Sequence, residues 1–349
     1  MPEVSIDMLR PMAAYEAAYA EAPRRFRTPT TVEATSWQNW RTAFRAGLWE
    51  RLGGQPHETT PLTVEHGPVT ERRGYRREYI TFESEPGVVV PAWVLIPEGL
   101  TAPSPAVIAV HGHGYGVDDI VGINADGTDR DTPVGYHKDF AVELCRRGLV
   151  VIAPEMLSFG RRREPADQQV DPGHSSCRYP ALWGIMQGRP LLGRRVRDTL
   201  RTLDVLAARP EADPARIGIM GISGGGMVSL FAAALEDRLR AAVISGYLAT
   251  FRGSILAVEH CLCNFVPGIL EDAEMYDIAA LIAPRPLLIE AGTRDDIFPL
   301  PAVEEAYRHL ERVYGAFEAV EHLDKDVFEG DHQISGAKAY DFLHDRLRG

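Results

Sequence analysis

The 349-residue sequence predicts an α/β protein. Its centre is a mostly parallel sheet with helices on both faces, with antiparallel strands at the N-terminal edge and a helical N-terminal extension. Three observations carry this expectation. From Ala106 onward, short and nearly continuous apolar runs alternate with segments of helical period. The chain before them alternates with period two. Polar, glycine- and aspartate-rich stretches follow several of the apolar runs, where the loops of an open parallel sheet rim a ligand crevice.

The elements follow in order. Met8, Leu9, Met12, Tyr15 and Tyr19 recur at helical spacing, and Trp37, Trp40, Phe44, Leu48 and Trp49 do so again, up to Gly53-Gly54. Residues 1–60 therefore read as a helical extension and residues 61–349 as the main domain. The extension's helices offer a surface for an oligomer. Arg77–Phe82 alternates and Val88–Ile96 is valine-rich around Pro91, which predicts antiparallel strands. Buried strands are expected at Ala106–Val110, Leu149–Ala153, Ile217–Met220, Ala241–Ser245, Pro286–Glu290 and Val320–Phe328. Helices are expected at Asp139–Arg147, Arg194–Ala208, Met227–Leu235, Ala302–Tyr314 and Ala337–Leu347. Apolar strands alternating with helices require both faces of the sheet to be covered.

Composition removes several function classes. Apolar residues are 45% and charged residues 25%, the balance of an ordinary globular chain. Thirty-seven basic against 49 acidic residues leave a net charge of −12. That sign argues against nucleic-acid binding and against docking on anionic lipid. Four cysteines are too few for a disulfide framework. No apolar run approaches the roughly 20 residues needed to span a bilayer. The N-terminus lacks a basic stretch before an apolar run, so the expected location is the cytoplasm.

The strongest motif is Gly221-Ile222-Ser223-Gly224-Gly225, between the strand Ile217–Met220 and the helix Met227–Leu235. A G-x-S-x-G in that context is a nucleophile elbow. The turn exposes the serine oxygen, and side chains two residues before and after would clash. The helix start also aims backbone N–H groups at a developing oxyanion. Ala109-Val110-His111-Gly112-His113-Gly114 stands at the end of an earlier strand, where a second oxyanion donor belongs. His111 and His113 are two apart with no third ligand placed by spacing, so no metal is expected. His111 reads as a hydrogen-bonder within the turn. Leu288–Pro299 is an apolar strand running into Gly292-Thr293-Arg294-Asp295-Asp296, and Val327–His332 ends in Gly330-Asp331-His332. The chain order Ser, Asp, His and the strand-end position of each point to a nucleophilic triad.

The region Asp213–Gly226 resembles the nucleophile region of the dienelactone-hydrolase-like and acetyl-xylan-esterase-like branch of the α/β-hydrolases, which prolyl-oligopeptidase catalytic domains share. Gly292-x-x-Asp295 with Pro299 is similar to that branch's acid loop, and Gly330-Asp331-His332 to its histidine loop. The resemblance spans roughly residues 75–349. Dienelactone hydrolases proper carry a cysteine where Ser223 stands, and acetyl xylan esterases usually carry glutamine where Gly224 stands. The resemblance implies an esterase that needs no cofactor and acts on a small-molecule ester. Ser223 is the expected nucleophile, His332 the base and Asp295 the acid, with Asp296 and Asp331 as competing candidates. The backbone N–H groups of Gly224 and of the His113 region are the expected oxyanion donors. A peptidase or amidase with the same triad and a non-catalytic binding module remain as alternatives.

Other residues invite two readings. His260-Cys261-Leu262-Cys263-Asn264 could line an acyl pocket or supply small buried thiols, and Cys-x-Cys without a second pair does not make a zinc site. Glu155 is read as rimming the site or lying on the surface. Asp126, Asp129 and Asp131 read as a solvated loop, since no glutamate completes a calcium loop. Arg161–Arg163 reads as a solvated run. Residues 158–192, with Trp183, Ile185 and Met186, are expected to form a lid or wall over Ser223.

Overall fold

The structure is a computed structural model that describes residues 11–55 and 61–348. Part of the expected first helix, with Met8 and Leu9, lies outside the described residues.

Two helices open the chain, α1 (Pro11–Glu21) and α2 (Ala34–Arg51). Three antiparallel strands follow, β1 (Val64–Arg72), β2 (Tyr75–Glu85) and β3 (Val88–Pro97). Then come β4 (Ser104–Val110), α3 (Phe140–Arg146), β5 (Val150–Pro154), α4 (Arg178–Met186) and α5 (Leu191–Ala207). The elbow region is β6 (Ala212–Ile222), α6 (Gly224–Leu235) and β7 (Leu239–Ser245). The C-terminal part holds α7 (Ile269–Asp272), α8 (Met275–Ala280), β8 (Leu287–Gly292), α9 (Leu300–Ala316), β9 (Leu323–Phe328) and α10 (Ala339–Arg348).

The nine strands form one sheet in the order β1-β2-β3-β5-β4-β6-β7-β8-β9. β1 to β3 pair antiparallel, β3 joins β5 antiparallel, and β5 through β9 are parallel. This is the expected sheet with its antiparallel edge. Alternation along a strand sends successive side chains to opposite cores. On β4, Ala106, Ile108 and Val110 enter the core shared with α2, α5, α6 and α9, whereas Val107 and Ala109 enter the core shared with α3 and α10.

Three expectations need correction. β1 was not expected: its sequence Val-Glu-His-Gly-Pro-Val-Thr-Glu-Arg is polar on both faces, and it is an exposed edge strand with a register shift between His66 and Val69. Val320–His322 form a short 3-10 turn rather than the start of β9. Residues 158–192 contain the helix α4, which the prolines and arginines around it conceal.

The helix α2 and the residues leading into it are packed into the main body. Trp37, Phe44, Leu48 and Leu52 are buried in the same core as the sheet. Phe44 stacks on Phe26 with centroids 4.9 Å apart, and Trp37 meets the edge of Phe317 at 4.9 Å. Thr28 Oγ1 donates to Asp277 Oδ1 at 2.6 Å, and Arg45 donates to both carboxylate oxygens of Asp237. Among the described residues, no helix is long and apolar enough to cross a membrane.

Candidate active site

Ser223 stands between β6 and α6 with φ 57° and ψ −123°, a conformation that non-glycine residues rarely adopt. The neighbours explain how it is held. A Cβ on Gly225 would collide with the Val110 carbonyl, and one on Gly221 would press on Gly225 and within 2.5 Å of the Ser229 hydroxyl. Both positions therefore need glycine, and the tight turn they permit presents Ser223 at the carboxyl ends of the central strands. The Ser223 N–H donates to Ser245 O at 3.0 Å, which ties the elbow to β7.

Asp295 and His332 meet across the loops after β8 and β9. His332 Nδ1 lies 2.7 Å from Asp295 Oδ2. The other carboxylate oxygen, Oδ1, accepts the Ile297 N–H at 3.0 Å and the Phe298 N–H at 2.9 Å. Burial alone would raise the Asp295 carboxyl, but the His332 bond and these N–H donors outweigh it and hold it below its ordinary value. The two competitors point elsewhere. Asp296 is exposed. Asp331 is exposed and pairs with Arg294 at 2.9 Å. The His332 ring is stacked between Tyr136 and Phe298, at 5.5 and 5.7 Å between centroids. Its Nε2 is buried and has no hydrogen-bond partner among the described residues.

The loop after β4 is braced from two sides. His111 is fully buried; its Nδ1 bonds Gly112 O at 2.8 Å and its Nε2 accepts the Met156 N–H at 3.0 Å. Burial lowers its pKa to about 3, so it stays neutral and structural. His137 Nε2 accepts the Gly112 N–H at 2.9 Å, while His137 Nδ1 lies 3.0 Å from Asp119 Oδ2. Burial raises the Asp119 carboxyl, yet the interaction with His137 outweighs this and leaves it below its ordinary value. The Tyr136 hydroxyl donates to His113 O at 2.5 Å. Gly224 faces the ring of His113: a Cβ there would lie 3.1 Å from His113 Nδ1.

Tyr136, Asp119 and His137 escaped the sequence reading, because each lies in an irregular aspartate- and glycine-rich loop with no motif around it. Glu155 is neither on the surface nor at a rim. It is fully buried behind His111, accepts the Val117 N–H at 2.7 Å, and burial raises its pKa to about 7. Arg161–Arg163 are not a solvated run. Arg161 bridges Asp118, Arg162 is buried against Asp198 at 2.7 Å, and Arg163 donates to backbone carbonyls of its own loop. Asp129 pairs with Arg72 and Arg77. Arginines thus pin loops that read from sequence as free. Spacing placed no third ligand beside His111 and His113 and no second pair beside Cys261 and Cys263, yet His113, Cys177, Cys261 and Cys263 converge, with their ligand atoms within 4.8 Å of one another. Three separate loops supply them, which spacing along the chain does not reveal.

Comparison with known proteins agrees with this architecture. The Bacillus subtilis (strain 168) protein named "Putative hydrolase YtaP" is 28% identical over 274 residues, covering 77% of this chain and 86% of that protein. Among solved structures, a Bacteroides fragilis NCTC 9343 protein described as a putative acetyl xylan esterase superposes with a TM-score of 0.80 at 16% identity, covering 93% of this chain and 84% of that one. A glucuronoyl esterase from Solibacter usitatus gives a TM-score of 0.68 at 15% identity, covering 91% and 95%. The model of the Abhydrolase family matches residues 23–335, nearly the whole chain. The chain belongs to the Abhydrolase family, and its sheet, elbow and strand-end loops are those of an α/β-hydrolase.

Proposed function

We propose that this protein is a serine hydrolase that cleaves a carboxylic ester of modest size through an acyl-serine intermediate. The observation that carries the reading is the conjunction of a strained Ser223 at the elbow with a His332–Asp295 pair whose outer nitrogen is buried and unpartnered. The esterase names of the solved structural neighbours support ester over amide as the substrate class.

In this reading His332 Nε2 takes the Ser223 proton as the hydroxyl attacks the ester carbonyl. Asp295 accepts the Nδ1 proton of His332 and so fixes the tautomer that leaves Nε2 free to act. The Gly224 N–H is at the first position of α6, where no intrahelical acceptor exists, and it faces the oxyanion. The Gly112 N–H is already taken by His137, so the next N–H, that of His113, is the second donor. The alcohol leaves with the proton from His332. Water, deprotonated by His332, then attacks the acyl-serine and releases the acid. Tyr136 holds the His113 carbonyl and stacks on His332, so it positions both sides of the site.

Turnover of p-nitrophenyl acetate by wild type and by Ser223→Ala tests the reading. Loss of the nucleophile costs on the order of 10⁴–10⁶ in turnover. A faster rate on aminoacyl amides than on esters would favour a peptidase instead, and no turnover of either would favour a binding module.

A further inference from the structure

We propose that His113, Cys177, Cys261 and Cys263 bind one zinc ion as a closed, four-ligand structural site beside the nucleophile elbow. The inference stands on the side-chain cluster and does not depend on the esterase reading.

The four ligands come from three places. His113 follows β4, Cys177 immediately precedes α4, and Cys261 and Cys263 lie in the loop between β7 and α7. One nitrogen and three sulfurs fall within 4.8 Å of one another. A tetrahedral zinc with Zn–S bonds of about 2.3 Å needs its ligand atoms roughly 3.8 Å apart, so a small inward movement of side chains completes the shell. A cluster of several irons would hold its cysteine sulfurs farther apart than this group allows. The imidazole presents the correct atom: His113 Nε2 lies 3.6 Å from Cys263 Sγ, while Nδ1 is on the Gly224 side. Three thiolates with one imidazole is a recognised structural zinc set, and it leaves no open position for water.

Two surrounding groups point independently to negative charge at this place. Arg195 is 1% exposed, and no carboxylate pairs with it among the described residues. Its Nη2 donates to Cys177 Sγ at 3.1 Å, and its Nη1 has no hydrogen-bond partner. A buried, unpaired guanidinium is costly unless an anion is close. Zinc with three thiolates and a neutral imidazole carries one net negative charge, which Arg195 balances. Asn264 is also buried and sends its Nδ2 toward Cys263 Sγ at 3.5 Å, an amide donor to a thiolate. Such outer contacts orient the first ligands and tune the metal. The Phe159 ring closes the site, edge-on to His113 at 5.0 Å and beneath the Arg195 guanidinium at 4.9 Å.

Binding replaces the thiol protons by the metal and releases them to solvent. With Nε2 on zinc, the His113 proton must sit on Nδ1, facing Gly224. The ion would thus lock three loops together: the one after β4, the segment leading into α4, and the one after β7. Its role is to fix that geometry, since all four positions are filled by protein.

The experiment is elemental analysis of the full chain, purified reduced from zinc-supplemented culture and dialysed against EDTA. The expected result is one zinc per chain, falling at least about tenfold in Cys177→Ser and in Cys263→Ser but not in Cys145→Ser, whose buried thiol lies outside the cluster. Should the cysteine variants fail to fold, the wild type exchanged with cobalt is decisive. Thiolate-to-cobalt charge-transfer absorption with tetrahedral d–d bands is expected. Wild type that retains no zinc and takes up no cobalt overturns the proposal. So does zinc that persists in both cysteine variants, one equivalent of iron in place of zinc, or a disulfide within the cluster by intact mass.

Discussion

At the scale of single residues, adjacent aspartates separate cleanly. Asp295 is buried and accepts from His332 and two backbone N–H groups; Asp296 is exposed; Asp331 is committed to Arg294. Asp295→Asn should therefore lower ester turnover by about 10⁴, through loss of the histidine tautomer. Asp296→Asn and Asp331→Asn should stay within a few-fold of wild type, and steady-state kinetics of the three variants checks the order. Glu290 gives a second prediction at this scale. It is 1% exposed at the end of β8; burial is the main cause that lifts its pKa from 4.5 to about 7, against the opposing Gly336 N–H at 2.8 Å. Between those values the native state holds a proton that the unfolded chain has released. The stability owed to the protonated carboxyl is complete below about 4.5 and lost as pH rises through about 7. Glu290→Gln should therefore shrink the fall in Tm between pH 5.5 and pH 8. Glu155 shares the window, so part of the fall remains. An unchanged fall would show that Glu290 ionises in the native protein as it does in water. The strand-end positions of Ser223 and Asp295 were legible because each follows an apolar strand and carries a local glycine signature, and that of His332 because Gly330 marks the turn after β9. Tyr136, His137 and Asp119 were not, since their roles come from contacts with the loop after β4 that no spacing encodes.

At the scale of elements, legibility followed burial. The strands β4 to β8 announce themselves as apolar runs, because both of their faces are covered. β1 does not, since an edge strand in water keeps few apolar residues. α4 hides inside a stretch rich in proline and arginine, yet it carries an exposed apolar face: Tyr179, Trp183 and Met186 are 68%, 67% and 86% exposed. Cys177, which immediately precedes it, lies next to His113, so the helix starts beside the loop after β4. We expect α4 to form a wall that contacts the substrate. Trp183→Ala should then change KM across a series of esters of increasing acyl length, while Tm and kcat for the shortest ester change little. A uniform profile across the series would remove α4 from the substrate path.

At the scale of the whole molecule, composition and alternation were enough to give the sheet and its two covered faces. They were not enough to show how α2 attaches, because the helical spacing of Trp37, Phe44 and Leu48 says that a face is buried and not against what. The structure puts that face into the core that also holds Ile108, Val196 and Phe231. Phe44 is fully buried, so Phe44→Ala should cost about 3–5 kcal/mol and lower the Tm of the entire cooperative transition. A separate early transition in calorimetry, with the main one unmoved, would mean that α2 melts on its own. The proposed function puts one reactive serine at the centre of the molecule, and covalent labelling reads this directly. Treatment with a fluorophosphonate, followed by peptide mapping, should place a single label on Ser223 in step with the loss of acetyl-ester turnover, and Ser223→Ala should neither label nor turn over. A label on another serine, or activity within tenfold of wild type in Ser223→Ala, would contradict it.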